Sequence, residues 1–304
     1  MTGKIIKGIG GFYYIHAADN RIYACRAVGI FRKLGIKPLV GDDVEFEVTD
    51  EKDLEGSLTS IHERRNILIR PAVANIDQAM IIFAVREPDP NLNLLDRFLV
   101  YMGMQHIPVI IYFNKADLDK NGLVAKYRAI YEAAGYEVVC GSTDDPETLL
   151  KIRARLNGCT TVLAGPSGVG KSSLTNRLFE GAHMEVGELS QKIKRGRQTT
   201  RHTELIALKP REGDSAEDEA YVLDTPGFTS LFVTGVSSQE LQDYFDEFSP
   251  RIPECRYVGC SHVNGRTPIC GVRQAVEQGE ISRERYENYC QIYRELKEQE
   301  STYR

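Results

Sequence analysis

Three patterns in the 304-residue sequence point to a multidomain α/β protein. Short, closely spaced strand signals fill residues 1–68, strand and helix signals alternate over 69–232, and a cysteine and histidine cluster followed by a charged helix occupies 233–304. In order, these predict an OB-type β-barrel, a mostly parallel sheet covered by helices on both faces, and a helical tail organised around the cluster. A chain of this length holds two or three compact domains.

In the first region, "GFYYIHA", "RIYACRAVG" and "DDVEFEVTD" are rich in β-branched and aromatic residues, with turn signals at "ADN" and "PLVGD" between them. No helical pattern interrupts them, and the OB type is the commonest small barrel built from such strands. Barrels of this kind often bind single-stranded nucleic acid through basic and aromatic side chains. Here Arg26, Arg32, Lys33 and Lys37 lie near Tyr14, Tyr23 and Phe31 in sequence. Two readings stay open: an RNA-binding face, or aromatic core residues under a solvated basic surface.

The second region begins with the buried-strand run "AMIIFAV" and a helical stripe of Leu95, Phe98, Leu99 and Met102. The strand "PVIIYF", a helix through "GLVAKYRAIYEAAG" with its glycine stop, and the strand "YEVVC" follow. A helix through "DPETLLKIRARL" and the strand "CTTVLA" complete the alternation expected of a parallel sheet. In the last region the sheet pattern stops. A helix over about 282–300 carries Tyr286, Tyr289, Tyr293 and Leu296 on one stripe, which needs a docking surface.

Composition is that of a globular chain, with 42% hydrophobic and 27% charged residues. No apolar run approaches the roughly 18 residues of a membrane span, and the N-terminus lacks the pattern of a secretory signal. A cytoplasmic protein is therefore expected. The net charge of −5 argues against a uniform coat on nucleic acid but leaves room for local basic patches. Of seven cysteines, Cys25, Cys140, Cys159 and Cys290 are scattered, whereas Cys255, Cys260 and Cys270 cluster as metal ligands do.

Chemistry concentrates in four motifs. Gly165, Pro166, Ser167, Gly168, Val169, Gly170, Lys171 and Ser172 match G-x-x-x-x-G-K-[ST], between an apolar strand and a helix. Backbone N–H groups of such a loop wrap a β-phosphate at the positive end of the helix. Lys171 would reach the β- and γ-phosphates, Ser172 would ligate Mg²⁺, and Ser173 would support the α-phosphate. "DTPG" ends the apolar strand "AYVL", so Asp224 can hold Mg²⁺ through water and the Gly227 amide can meet a γ-phosphate. "NKAD" ends the strand "PVIIYF". Asp117 can accept from guanine N1–H and the 2-amino group, a pattern adenine does not offer. Asn114 would touch the base edge and tie its loop to the phosphate cradle, while the Lys115 stem covers the ring. Together the motifs make GTP the substrate, with Mg²⁺. Gly141 and Ser142 are the candidates for a base-supporting loop after the strand "YEVVC". A metabolic ATPase is the reading Asp117 argues against.

Cys255, Cys260, His262 and Cys270 supply three thiolates and an imidazole, a closed set suited to one structural Zn²⁺ per chain. With all four positions filled by protein, no site is left for a catalytic water.

The motif order is unusual: base reader, base support, phosphate cradle, then switches. This is a circular permutation of the conventional order, and a compact domain whose termini lie close together tolerates it. The chain resembles the circularly permuted bacterial GTPases that depend on the small ribosomal subunit. The carriers are "NKAD", "GPSGVGKS", "GRQTT", "DTPG", C-x4-C-x-H-x7-C and the N-terminal "FRKLGIKPLVGDDVEF". That resemblance covers nearly the whole chain. It implies an OB-type barrel (1–68), a permuted P-loop GTPase domain (69–232) and a zinc-binding helical region (233–304). It also implies a factor in late 30S maturation that contacts rRNA, cycles between GTP and GDP, and couples subunit-stimulated hydrolysis to release.

By the same resemblance "KIKRGRQTTRHTELI" is switch I, with Thr199 or Thr200 closing on Mg²⁺. The family carries a histidine where this chain has Gln198, which can orient water by the same geometry. His202 is a weaker candidate, and Phe228 replaces the glutamine that many GTPases carry after switch II. Slow unassisted turnover is expected. Lys192, Lys194, Arg195, Arg197 and Arg201 make switch I basic; a solvated flexible loop is one reading, and contact with rRNA phosphates is the one favoured in an acidic chain. A nucleotide-gated RNA-binding module with incidental hydrolysis is the competing reading. Nothing in the sequence demands more than a monomer.

Overall fold

The computed structural model describes residues 1–29, 31, 35–69, 71–180, 203–208, 219–224, 231–263 and 269–302, with the backbone alone at Glu180 and Asp224. The chain divides into two compact units. One comprises Met1–Gln78, Ile152–Leu163 and Ser172–Thr225; the other comprises Ala79–Lys151, Ala164–Lys171 and Pro226–Arg304.

In the first unit, strands β1 (Thr2–Ile9), β2 (Phe12–Ala17), β3 (Ile22–Ala27), β4 (Asp43–Asp50) and β5 (Glu55–Ile61) close a barrel in the order β1-β2-β3-β5-β4. Strand β3 runs parallel to β5, and β1 closes antiparallel onto β4, the connectivity of an OB barrel. Alternation along the strands sends Ile5, Ile15, Tyr23, Cys25, Val44, Phe46 and Leu58 inward. Tyr23 and Phe31 are therefore core residues, and the Tyr23 hydroxyl is occupied by Asp19 at 2.9 Å. Tyr14 is half-buried, Arg26 lies exposed over the Phe12 ring, and Arg32 and Lys33 fall outside the described residues. A bulge between Ile5 and Lys7 adds the twist that closure requires. A short hairpin, β6 (Ile67–Leu68) with β7 (Val73–Ala74), follows the barrel.

The sheet that carries the nucleotide motifs has six strands in the order β10-β9-β8-β11-β13-β12. Its members are β8 (Gln78–Ala84), β9 (Val109–Asn114), β10 (Glu137–Cys140), β11 (Thr160–Ala164), β12 (Leu205–Leu208) and β13 (Ala220–Asp224). The pairs β8–β9, β9–β10 and β11–β13 are parallel, and only β12, joined to β13, is antiparallel among these pairs. Helix α1 (Leu92–Met104) starts where the Asn91 side chain caps Leu94 N at 3.1 Å, and buries the predicted Leu95, Phe98, Leu99 and Met102 stripe. Helices α2 (Leu123–Ala133), α3 (Pro146–Leu156) and α4 (Lys171–Glu180) fill the remaining predicted positions.

The C-terminal segment forms two 3-10 stretches (Glu240–Tyr244 and Asp246–Glu254) and helices α5 (Gly271–Glu277) and α6 (Arg283–Thr302). Its core gathers Phe245, Phe248, Val272, Tyr289, Ile292 and Leu296. Arg285 of α6 is fully buried, donating to Asp96 of α1 at 2.7 Å and to both carboxylate oxygens of Glu247 at 2.8 and 2.9 Å. Among the described residues no helix is long and apolar enough to cross a membrane.

A candidate nucleotide site and a candidate metal centre

Strand β9 ends at Asn114, whose side chain is 3% exposed. Its Nδ2 donates to the Val169 carbonyl at 2.8 Å, so the base-reading loop and the phosphate loop are tied by a single side chain. Its Oδ1 accepts from Lys115 N at 2.8 Å, Thr143 N at 3.0 Å, Thr143 Oγ1 at 2.8 Å and Tyr112 Oη at 2.8 Å. To reach Oδ1, Lys115 takes a left-handed backbone, φ +58°, and its ammonium donates to the Glu87 carbonyl. Asp117 lies exposed in the one-turn 3-10 segment Ala116–Leu118 that follows, its carboxylate open to a ligand.

The phosphate loop is shaped by two close approaches. Gly165 has φ +148°, and a Cβ there would stand 2.1 Å from the Ile82 carbonyl oxygen of β8. Gly170 has φ +100°, and its Cβ would stand 2.3 Å from Asn114 Nδ2. Only glycine meets both demands. Lys171 is buried at the start of α4 and donates to the carbonyls of Gly165 and Pro166 at 2.9 and 2.8 Å. A phosphate in the loop would compete with those carbonyls for the ammonium. Ser172 and Ser173 are exposed in the first turn of α4.

Gly141 and Ser142 sit directly beside the base reader. Gly141 N donates to Phe113 O, and Ala116 N donates to Gly141 O, both at 3.1 Å. Asp224 ends β13 in register with Leu163 of β11. Gly227, Gln198, Thr199, Thr200 and His202 lie outside the described residues, as do Lys192, Lys194, Arg195, Arg197 and Arg201. Tyr112 and Thr143 were missed by sequence reasoning. No motif marks them, although Tyr112 stands two residues before Asn114 and so shares its strand face.

In the C-terminal region the ligand atoms of Cys255, Cys260, His262 and Cys270 all lie within 4.8 Å of one another. His262 Nδ1 is 3.6 Å from Cys255 Sγ and 3.4 Å from Cys270 Sγ, and the two sulfurs are 4.0 Å apart. Metal–sulfur bonds of about 2.3 Å and metal–nitrogen bonds of about 2.0 Å on tetrahedral angles give edges of roughly 3.5–3.8 Å, so this set can hold an ion. His262 Nε2 faces Gln242 Oε1 at 2.8 Å, which leaves Nδ1 as the ligating nitrogen. Burial pulls the His262 imidazole down to about 4, keeping it neutral as a ligand must be, and burial raises the Cys270 thiol, so a bound cation would have to displace its proton. The predicted tyrosine stripe docks here: Tyr286 Oη donates to His262 O at 2.8 Å and Tyr289 Oη to Ser261 O at 2.9 Å. All seven cysteines are free thiols.

A parallel sheet that delivers a base reader and a phosphate loop from strands in inverted succession defines a circularly permuted P-loop GTPase. Residues 61–234 match the RsgA GTPase family and residues 2–55 the RsgA N-terminal domain. The chain belongs to the RsgA GTPase family and is a GTP-hydrolysing enzyme. It is 48% identical to the small ribosomal subunit biogenesis GTPase RsgA of Agathobacter rectalis, covering 98% of each chain. Identity to the protein of the same name from Alkaliphilus metalliredigens is 46%, covering 97% of each. Among solved structures it resembles YloQ, a circularly permuted GTPase (37% identity, 98% of this chain and 95% of the other, TM-score 0.76). It also resembles YjeQ from Thermotoga maritima (31% identity, 97% and 98%, TM-score 0.79).

Proposed function

We propose that this GTPase binds the 30S ribosomal subunit and its rRNA and acts late in the maturation of that subunit. The subunit stimulates hydrolysis, and hydrolysis drives release. The observation that carries the enzymatic part is the bond from Asn114 to the Val169 carbonyl, which brings the guanine reader onto the phosphate loop. The ribosomal part is supported by the name shared by its relatives, small ribosomal subunit biogenesis GTPase.

In this reading the amides of residues 165–170 cradle the β-phosphate and Lys171 spans the β- and γ-phosphates, with Ser173 supporting the α-phosphate. Asp117 reads guanine, while Asn114, Lys115, Gly141 and Ser142 frame the base. Ser172 and Asp224 would hold Mg²⁺, which would supply positive charge against that developing on the phosphates. Gly227 meets the γ-phosphate, Thr199 or Thr200 closes on the metal, and Gln198 orients water. Cys255, Cys260, His262 and Cys270 hold one structural Zn²⁺. The functional division is a barrel for RNA over 1–68, the GTPase domain over 69–232 and the zinc-binding region over 233–304. The protein works as a cytoplasmic monomer.

GTP turnover measured with and without purified 30S subunits tests this. Slow hydrolysis by the protein alone and at least a ten-fold rise with subunits are expected. A fast intrinsic rate that subunits leave unchanged rejects the proposal. Nucleotide-dependent subunit binding without stimulated turnover would make the chain a nucleotide-gated RNA-binding module instead.

A further inference from the structure

We infer that Tyr112 is a positioning residue for guanine-nucleotide binding: its buried hydroxyl holds the Asn114 carboxamide in the orientation that ties the base reader to the phosphate loop. The inference rests on the nucleotide-site reading above and deepens it.

A carboxamide is nearly symmetric in shape but not in chemistry, since one end donates and the other accepts. Asn114 serves the phosphate loop only when Nδ2 faces the Val169 carbonyl, which requires Oδ1 to face donors. Of the donors that meet Oδ1, Lys115 N and both Thr143 groups belong to loops. Those loops belong to the proposed base site. Tyr112 alone among them donates from a strand, at 2.8 Å. That strand is paired on both sides: Tyr112 is in register with Ile82 of β8 and Val139 of β10. Its hydroxyl therefore refers the carboxamide to the paired strand and not to a loop.

The alternative is that Tyr112 is a core aromatic whose hydroxyl merely finds a partner. Its neighbour Phe113 shows what pure packing looks like, since that ring stacks on Tyr127 at 5.3 Å and tilts against Tyr131 at 6.0 Å with no polar atom of its own. Position 112 is equally closed to solvent, yet it carries a hydroxyl whose short bond, 2.8 Å, goes to Asn114 Oδ1, with a longer contact of 3.4 Å to Thr143 Oγ1. Burial raises the Tyr112 phenol above its ordinary value, which keeps it a neutral donor.

The test is equilibrium binding of fluorescent GDP to the full chain as wild type, Tyr112→Phe, Asn114→Ala and the double variant. Phenylalanine fills the same space and removes one buried hydrogen bond, so Tyr112→Phe is expected to weaken GDP binding about three- to ten-fold. In the Asn114→Ala background the same change is expected to have no further effect, because nothing remains to be positioned. A purely structural role would give the same loss in both backgrounds, and that result overturns the inference. Unchanged GDP affinity of Tyr112→Phe also overturns it while leaving the nucleotide site intact. A wild-type chain that does not bind GDP overturns both.

Discussion

Asn114 and His262 are both buried polar side chains at the meeting point of loops, but they are completed in different ways. Around Asn114, one carboxamide meets a carbonyl with its donor end and four donors with its acceptor end, at 2.8–3.0 Å. The protein satisfies itself there. Around His262, thiols and an imidazole face one another at 3.4–4.0 Å, distances that would also suit a shared cation. The Asn114 cluster is assembled by hydrogen bonding, whereas the cysteine cluster is a set of ligand atoms that could hold a metal ion.

The largest expected effect follows directly. If the cluster holds the proposed structural Zn²⁺, Cys270→Ser, or treatment with a strong chelator, should lower bound zinc from one per chain to near zero and loosen the segment that carries Cys255, Cys260, His262 and Cys270. Structural zinc sites contribute on the order of 10 kcal/mol of binding free energy, far above any single contact here. Metal analysis with near-ultraviolet circular dichroism of the tyrosines on α6 would read the loss, and GDP binding should survive it. Equal loss of both would mean that the Asn114 region is not self-sufficient.

Asp96, Arg285 and Glu247 show a third arrangement, in which opposite charges complete one another without an ion. Arg285 stacks on Phe245 at 4.6 Å, and Asp96 accepts also from Asn288 at 2.6 Å and Tyr131 at 3.1 Å. Arg285→Ala leaves two carboxylates without their cation in a closed core, which costs about 3–5 kcal/mol. Urea unfolding should show that loss, with zinc content unchanged.

The contrast also explains what the sequence made legible. Gly165 to Ser172, Asn114 to Asp117 and the four candidate metal ligands stand out in the sequence because the chemistry proposed for them fixes residue type and spacing locally. Strands β8, β9 and β11 could be read because nearly continuous burial leaves apolar runs. Strands β1 and β5 carried no comparable mark: "TGKIIKGI" and "EGSLTSI" mix glycine, lysine and serine with few inward residues, and the barrel supplies the rest through pairing. The barrel aromatics were ambiguous for the same reason, since a tyrosine suits a core or a stacking face, and closure placed Tyr23 inside. Thr143 meets Asn114 across 29 positions of sequence, which no local pattern encodes, and Tyr112, although two residues away on the same strand face, reads in sequence as one more apolar member of the strand.

Gly170→Ala probes the preassembled side with a smaller expected effect. The added methyl would stand 2.3 Å from Asn114 Nδ2 at a backbone φ of +100°. Left-handed strain of about 1–2 kcal/mol, together with displacement of the carboxamide, should weaken GDP binding at least ten-fold. Thermal melting should move only a few degrees, because the loop can yield without opening the core. A normal GDP affinity would show that the tie between the loops is not needed for binding.

The smallest effect concerns the pairing of α1 with α6 by Arg97 and Glu295, 2.7 Å apart. The hydrogen bond from Arg97 holds the Glu295 carboxyl below its ordinary value of 4.5. As pH falls, the unfolded chain therefore takes up this proton before the folded one does. The stability it provides is full above about 4.5 and drains as pH drops through the lower folded value. Glu295 remains partly exposed, so solvent screening limits the pair to about 1 kcal/mol or less. Glu295→Gln keeps the shape and an acceptor oxygen for Arg97. Wild type should exceed it in urea stability at neutral pH by no more than that amount, and the two should converge as pH falls through the lowered folded value of Glu295. A difference that persists unchanged in acid would assign the contact to packing of the side-chain stems and not to charge.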